Sequence, residues 1–312
     1  MKNLHMFVCL SLLTGIMTKP GIAKQYATLG LNTWFERMVP VLLPIMILSE
    51  WMDKTGVTDR IAKCLYRGMG RFLHLSGITC YCIISGLLFG FPMGAKIISR
   101  FYQNKCLDRK EARWLLSFTN QLSPAYLTGV LLPFMSLQQE GLVLFVIYGI
   151  TIIYGMILHL FYFRKSAFSI PSKQGIFDEV MYVSNVQSLR LPNCENGNAS
   201  LFEATVKNSV QCILRLGAYM IFFSVFAVLP VLVFKKPCPV IHMLFEITTG
   251  LKLMDGYSPL LILFLTLFGG LSCLAQVHSI LSETDLIQSI GEYAMHKLIL
   301  SAICTLGLSF II

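Results

Sequence analysis

Stretches of apolar residues, set apart by polar and charged clusters, divide this chain. The first runs from Leu4 to Met17 behind Lys2, and the second from Trp34 to Met52 with Pro40 and Pro44 inside it. A helix in water loses about 3 kcal/mol for each interior proline, whereas among packed membrane helices the freed carbonyls find other partners. The pattern therefore predicts one kinked transmembrane helix that ends where "SEWMDKTG" opens a basic loop. Further apolar segments cover 72–98, 117–137, 142–163, 214–234, 257–281 and 293–312. From Arg164 to Lys207 the pattern lapses into prolines, asparagines and no sustained period, which reads as a polar loop.

The charges around 72–98 give it a shape. Lys54, Arg60, Lys63, Arg67 and Arg71 precede it, and Arg100, Lys105, Arg109, Lys110 and Arg113 follow it. Lysine and arginine mark the cytoplasmic side of a membrane, so both flanks belong on the same side. The segment is too short for two crossings of about 20 residues each. A re-entrant hairpin that turns at "GFPMG" (Gly90 to Gly94) meets both conditions. After it, "LDRKEARWLLSFTN" has the acid-then-base spacing of an amphipathic helix.

Composition agrees with a membrane protein. Hydrophobic residues are 55% and charged ones 13% of the 312 residues, against about 25% charged in soluble domains. The net charge of +9 lies in loops without an arginine tract interleaved with aromatics, so nucleic acid is not an expected partner. The 10 cysteines form no CxxC pair, and neither a disulfide framework nor a metal site is expected. No P-loop, HExxH, GxSxG or GxGxxG occurs, so neither an enzyme nor a cofactor is expected.

The two halves repeat an order of motifs. "SEWMDKTG" in the first answers to "FEITTG" in the second, and "LLFGFPMGAKIISR" to "TLFGGLSCLAQVHSI". The charge rule runs the two halves in opposite directions through the membrane, with Lys235 and Lys236 on the outer side against the rule. Inverted repeats with broken helices place a binding site where the breaks meet near the bilayer midplane.

At "GLNTWFERMVPVLLPIMILSE", "SGLLFGFPMGAKI", "DRKEARWLLSFTN", "LFEITTGL" and "FGGLSCLAQVHSIL" the chain resembles membrane proteins with nucleoside-recognition (Gate) domains. More narrowly, it resembles the YlbJ-type sporulation integral membrane proteins of endospore-forming Firmicutes. One departure is local: where that family reads close to Cys-Asn-Asn-Ser-Gly-Pro, this chain has "FTNQLSPAYLTG", matching at Asn120, Ser123 and Pro124. The resemblance implies a role in spore formation and passage of a small polar, nucleoside-like solute.

The expected fold class is an all-α integral membrane protein of two inverted Gate-like repeats with broken, re-entrant helices. Residues 1–25 form an N-terminal transmembrane helix, read as an uncleaved signal anchor because no A-x-A site follows it. Residues 26–163 make the first repeat, 164–207 a cytoplasmic polar loop, and 208–312 the second repeat. The candidate solute site comprises Gly90, Phe91, Pro92, Gly94, Lys96, Asn120, Ser123, Gly269, Gly270, Gln276 and Ser279. Glu50 and Glu246 hold matching repeat positions, as ion-coupling or structural carboxylates. Two readings of Lys96 stand: contact with a solute, or a side chain snorkelling to the cytoplasmic face. The expected partners are the bilayer, a small polar solute, and other sporulation membrane proteins or a second copy of the chain. The alternative function is a non-transporting membrane scaffold for spore envelope or cortex assembly. Either way the protein belongs in a bacterial cell membrane as a multi-pass protein, of the mother cell or forespore.

Overall fold

Proline at a first helical position forfeits no hydrogen bond, because the N–H there has no partner in the helix. It opens α2 (Pro20–Thr33), α12 (Pro239–Phe245) and α14 (Pro259–Phe268). A computed structural model of the chain describes residues 2–70, 75–135, 140–163 and 198–310. Every regular element among them is helical.

Helix α1 (Lys2–Thr18) leads into α2, which passes through a π-helical turn at Trp34–Met38 into α3 (Val39–Lys54). The wide turn holds Glu36, the residue whose carbonyl the Pro40 ring would otherwise strike. The continuous run Pro20–Met52 is long and apolar enough to cross a membrane, as are Glu140–Leu160, Leu201–Phe234 and Pro259–Leu281. Against α2 and α3 lies α10 (Asn198–Val225), antiparallel to them. Gly30 meets Ile221 and Ser224, Trp34 Nε1 donates to Ile213 O at 3.0 Å, and Asn208 Nδ2 donates to Glu50 Oε1 at 2.7 Å. Helix α10 begins at Asn198, inside the stretch expected as loop, while residues 164–197 of that stretch lie outside the described residues.

After the short amphipathic α4 (Val57–Leu65), α5 (Gly77–Phe89) starts at Ser76, whose hydroxyl accepts from the Thr79 N–H. Helix α6 (Met93–Gln103) folds back on it so closely that a Cβ at Gly94 would lie 3.2 Å from Gly86 Cα. The chain thus reverses at the "GFPMG" turn, as the expected hairpin does. Helix α7 (Arg109–Thr119), capped by Asp108, re-enters beside it and stops at Asn120. The chain resumes as α8 (124–135), started by the Ser123 hydroxyl and Pro124. Within the apolar segment 117–137, the described residues to Met135 form a broken helix rather than an uninterrupted span. Helix α9 (Glu140–Phe163) returns along it, with Tyr148 OH donating to Leu122 O at 2.7 Å and Trp114 Nε1 to Gly155 O at 2.9 Å.

In the second half, α11 (Val228–Phe234) packs Val228 and Leu232 on Gly15, at the end opposite the basic loops. Lys235 and Lys236 follow at that end. Helices α12 and α13 (Ile247–Leu251) then form a second, shorter hairpin, in which a Cβ at Gly250 would lie 2.6 Å from Met243 Cα. Its tip is Glu246. Helix α14 runs to Gly269 and continues as α15 (Gly270–Leu281). A 3₁₀ turn, Asp285–Ser289, leads into α16 (Ile290–Leu308). Tyr102 OH donates to Asp285 Oδ1 at 2.7 Å and Arg109 Nη2 to Gln288 Oε1 at 2.7 Å, which returns this turn to the basic end.

The Phe-Gly breaks aligned in the sequence are therefore different structures. Three residues, Gly90 to Pro92, leave the helical path at the first, and the chain reverses. At the second, Gly269 and Gly270 turn to φ +92° and +69°, and a helix resumes at once as α15. The reversal in the second half falls at Glu246 instead.

Candidate functional site

The interruptions at Gly90–Pro92, 120–123, Glu246 and Gly269 converge in the interior. Gly90, at φ +66°, presses on the second of them: a Cβ there would lie 2.6 Å from both Gln121 O and Ser123 N. The Phe91 N–H donates to Gln121 O at 2.8 Å. On the other side, a Cβ at Gly270 would lie 2.9 Å from Met243 O and 3.0 Å from Leu244 O, against the second hairpin.

Asn120 joins the first hairpin to the last helix. Its Oδ1 accepts from the Ala95 N–H at 3.2 Å, and its Nδ2 donates to Tyr293 OH at 3.0 Å. A buried donor or acceptor left without a partner costs about 1–3 kcal/mol. Asn120→Ala strands one of each and is expected to lower stability by about 2–4 kcal/mol, read as a fall in the thermal midpoint of the purified protein. An unchanged midpoint would remove Asn120 from the framework of the site.

Lys297 of α16 bridges the two halves. It is 1% exposed, donates from Nζ to Gln121 Oε1 at 2.9 Å and sits 5.6 Å from the centre of the Phe91 ring. Its Cε lies 3.7 Å from where a Cβ at Gly269 would stand. Among the described residues no carboxylate comes within ion-pair distance of it. The ring face and the amide oxygen are what the structure offers an ammonium there.

Beside this junction is a cavity of about 40 Å³, lined by residues that include Phe91, Ser123, Tyr126, Glu246, Thr248, Cys273 and Gln276. Two buried polar atoms on its wall, Tyr126 OH and Gln276 Oε1, have no hydrogen-bond partner. Glu246 is 2% exposed, and its Oε2 accepts from Thr248 Oγ1 at 2.7 Å, the Thr249 N–H at 2.7 Å and Thr249 Oγ1 at 2.9 Å.

Of the residues selected from sequence, Phe91, Ser123, Glu246 and Gln276 line this cavity. Gly90, Pro92, Gly94 and Asn120 shape the first hairpin and its seat, while Gly269 and Gly270 form the second break. Lys96 lies elsewhere. Its Nζ is 3.7 Å from Glu50 Oε2, and Glu50 in turn holds Lys54 at 3.2 Å, in a partly exposed group at the basic end of α3. The two carboxylates at matching sequence positions thus have unlike surroundings. Ser279 sits farther along α15, half-buried, its carbonyl accepting from Ser282 Oγ at 2.7 Å. Lys297, Gln121, Tyr126, Cys273 and Tyr293 were not selected. For Lys297 the signal was present, because a lysine inside an apolar run is costly and marks a site.

Fold and site together define a multi-pass helical membrane protein whose helix breaks meet in its interior. No protein-family model and no solved structure matches the chain. It is similar to the sporulation integral membrane protein YlbJ of Bacillus subtilis (strain 168), 28% identical over 306 residues, covering 87% of this chain and 73% of that protein. The likeness runs over most of this chain and agrees with its apolar helices in making it a multi-pass integral membrane protein.

Proposed function

We propose that the protein serves in spore formation and carries a small polar solute, of the nucleoside class, through the junction of its helix breaks. The observation that carries this reading is the pair of unpartnered buried polar atoms, Tyr126 OH and Gln276 Oε1, on a cavity wall where those breaks converge. Buried polar groups without partners are rare in proteins and mark sites that something else completes. The order of elements supports two inverted repeats: in each half a long span is followed by a hairpin, a broken span and a closing span. The first hairpin enters from the basic end and the second from the other. On this reading Glu246 and Glu50 are not equivalent, and the second hairpin tip stands opposite the first.

At about 40 Å³ the cavity holds about three waters. A nucleoside needs more room, so carriage requires the hairpins to move apart, and the conformation described is a closed one. Uptake of nucleosides and other small metabolites into proteoliposomes tests the proposal, with and without proton and sodium gradients. Saturable uptake is expected in the wild type and in Lys96→Ala, whose side chain lies outside the cavity, and loss in Gln276→Leu. No uptake of any compound by folded wild-type protein would favour the scaffold role in envelope or cortex assembly.

A further inference from the structure

We propose that Glu246, Gln276 and Tyr126 hold a dehydrated alkali-metal cation in the cavity between the two hairpins. The inference takes from the proposed function only the location of the cavity, and the cation would bind whether or not a solute moves.

The argument starts from the hairpin tip. Three donors reach Oε2 of Glu246, the hydroxyls of Thr248 and Thr249 and the Thr249 N–H, and the Thr248 N–H also bonds the carboxylate. Among the described residues no lysine, arginine or histidine lies within ion-pair distance of either oxygen. Lys297, the buried cation of the junction, is committed to Gln121 and Phe91. A buried carboxylate without a counter-charge is costly, and such a group takes up a proton, pairs with a cation or coordinates a metal ion.

The wall around it also supplies oxygen atoms. Gln276, 5% exposed, gives its Nε2 to Ser272 Oγ at 3.1 Å, which leaves Oε1 as its unpartnered atom. Tyr126 OH, also unpartnered, brings a hydroxyl oxygen. Amide, hydroxyl and carboxylate oxygens are hard ligands suited to hard cations. The charge and size of the site then select among these. A single carboxylate neutralises one positive charge. Calcium takes six to eight oxygens, and magnesium keeps several of its waters, which a cavity of about 40 Å³ cannot house. An alkali cation stripped of most of its waters fits both limits.

The test uses the full-length protein purified in detergent, with no solute added. Its thermal midpoint is measured as sodium or potassium chloride replaces choline chloride at constant ionic strength and pH. A saturable rise is expected for one of the two ions, about 5 °C at a hundredfold excess over Kd. Glu246→Gln keeps an acceptor for the Thr249 N–H and should flatten the response. Gln276→Met, which keeps bulk but removes the oxygen, should weaken the apparent affinity at least tenfold, and it decides the matter if Glu246→Gln does not accumulate. A wild-type midpoint that ignores both ions overturns the proposal, as does an unaltered saturable rise in Gln276→Met. The uptake assay separates this from the preceding proposal: ion-dependent stabilisation without uptake retains the cation site, and uptake with a flat midpoint retains the carrier alone.

Discussion

Gly90→Ala is expected to lower the stability of the protein by about 3 kcal/mol or more, enough to deplete the folded fraction extracted from membranes. Two costs combine. The backbone at Gly90 has φ +66°, which a side chain disfavours, and the added methyl would stand 2.6 Å from Gln121 O and Ser123 N. Both of those atoms are backbone, in the break that seats the hairpin, so relief demands that the two interruptions separate. Gly149→Ala is the matching control, because a Cβ there meets nothing within 4 Å in the middle of α9. It should be neutral or gain up to about 1 kcal/mol from helix propensity. Thermal unfolding of the two variants side by side makes the comparison, and equal midpoints would show that the hairpin is not seated as described.

The second large effect is on activity rather than stability. Lys297→Met should lower solute uptake, or spore yield where that is the readout, at least tenfold, while stability changes by no more than about 2 kcal/mol. Removing the ammonium leaves Gln121 Oε1 without its donor, a loss of about 1–3 kcal/mol. It also removes a desolvated charge that no carboxylate among the described residues pairs, and replacing buried charged groups by apolar ones of similar volume is often neutral or stabilising. The two terms oppose each other. Wild-type activity in this variant would reduce Lys297 to a packing residue.

The parts of this architecture legible in the sequence are those written in local pattern. The first hairpin follows from its basic flanks, its shortness and the glycines and proline of "GFPMG", and Ser123-Pro124 carries the ordinary signature of a helix start. That signature lies inside an apolar run, which is why 117–137 reads as one span. The second hairpin was harder to see because its legs, seven and five residues long, are shorter than a periodicity window. "FEITTG" drew notice as a motif while its reversal did not. Lys96 left two readings open in the sequence, because a long flexible stem can carry its ammonium away from its own backbone position. On α6 its flexible stem reaches the basic end, where Glu50 is, and away from the break it follows. Partnerships such as Asn120 with Tyr293 and Gln121 with Lys297 join residues 173 and 176 positions apart, which no local pattern encodes.

Those separations have a consequence for how the protein is made. Gln121 leaves the ribosome 176 residues ahead of Lys297. At synthesis rates of about 5–20 residues per second, the interval is roughly 9–35 s. Throughout it the amides of Asn120 and Gln121 lack their partners on α16. Lipid offers them no substitute, since unpaired polar groups in hydrocarbon are costly. The nascent first half must therefore be sheltered by the insertion machinery or by a protein chaperone until α16 arrives. A chain stopped short of α16 should be a substrate for membrane proteolysis rather than a stable half-protein.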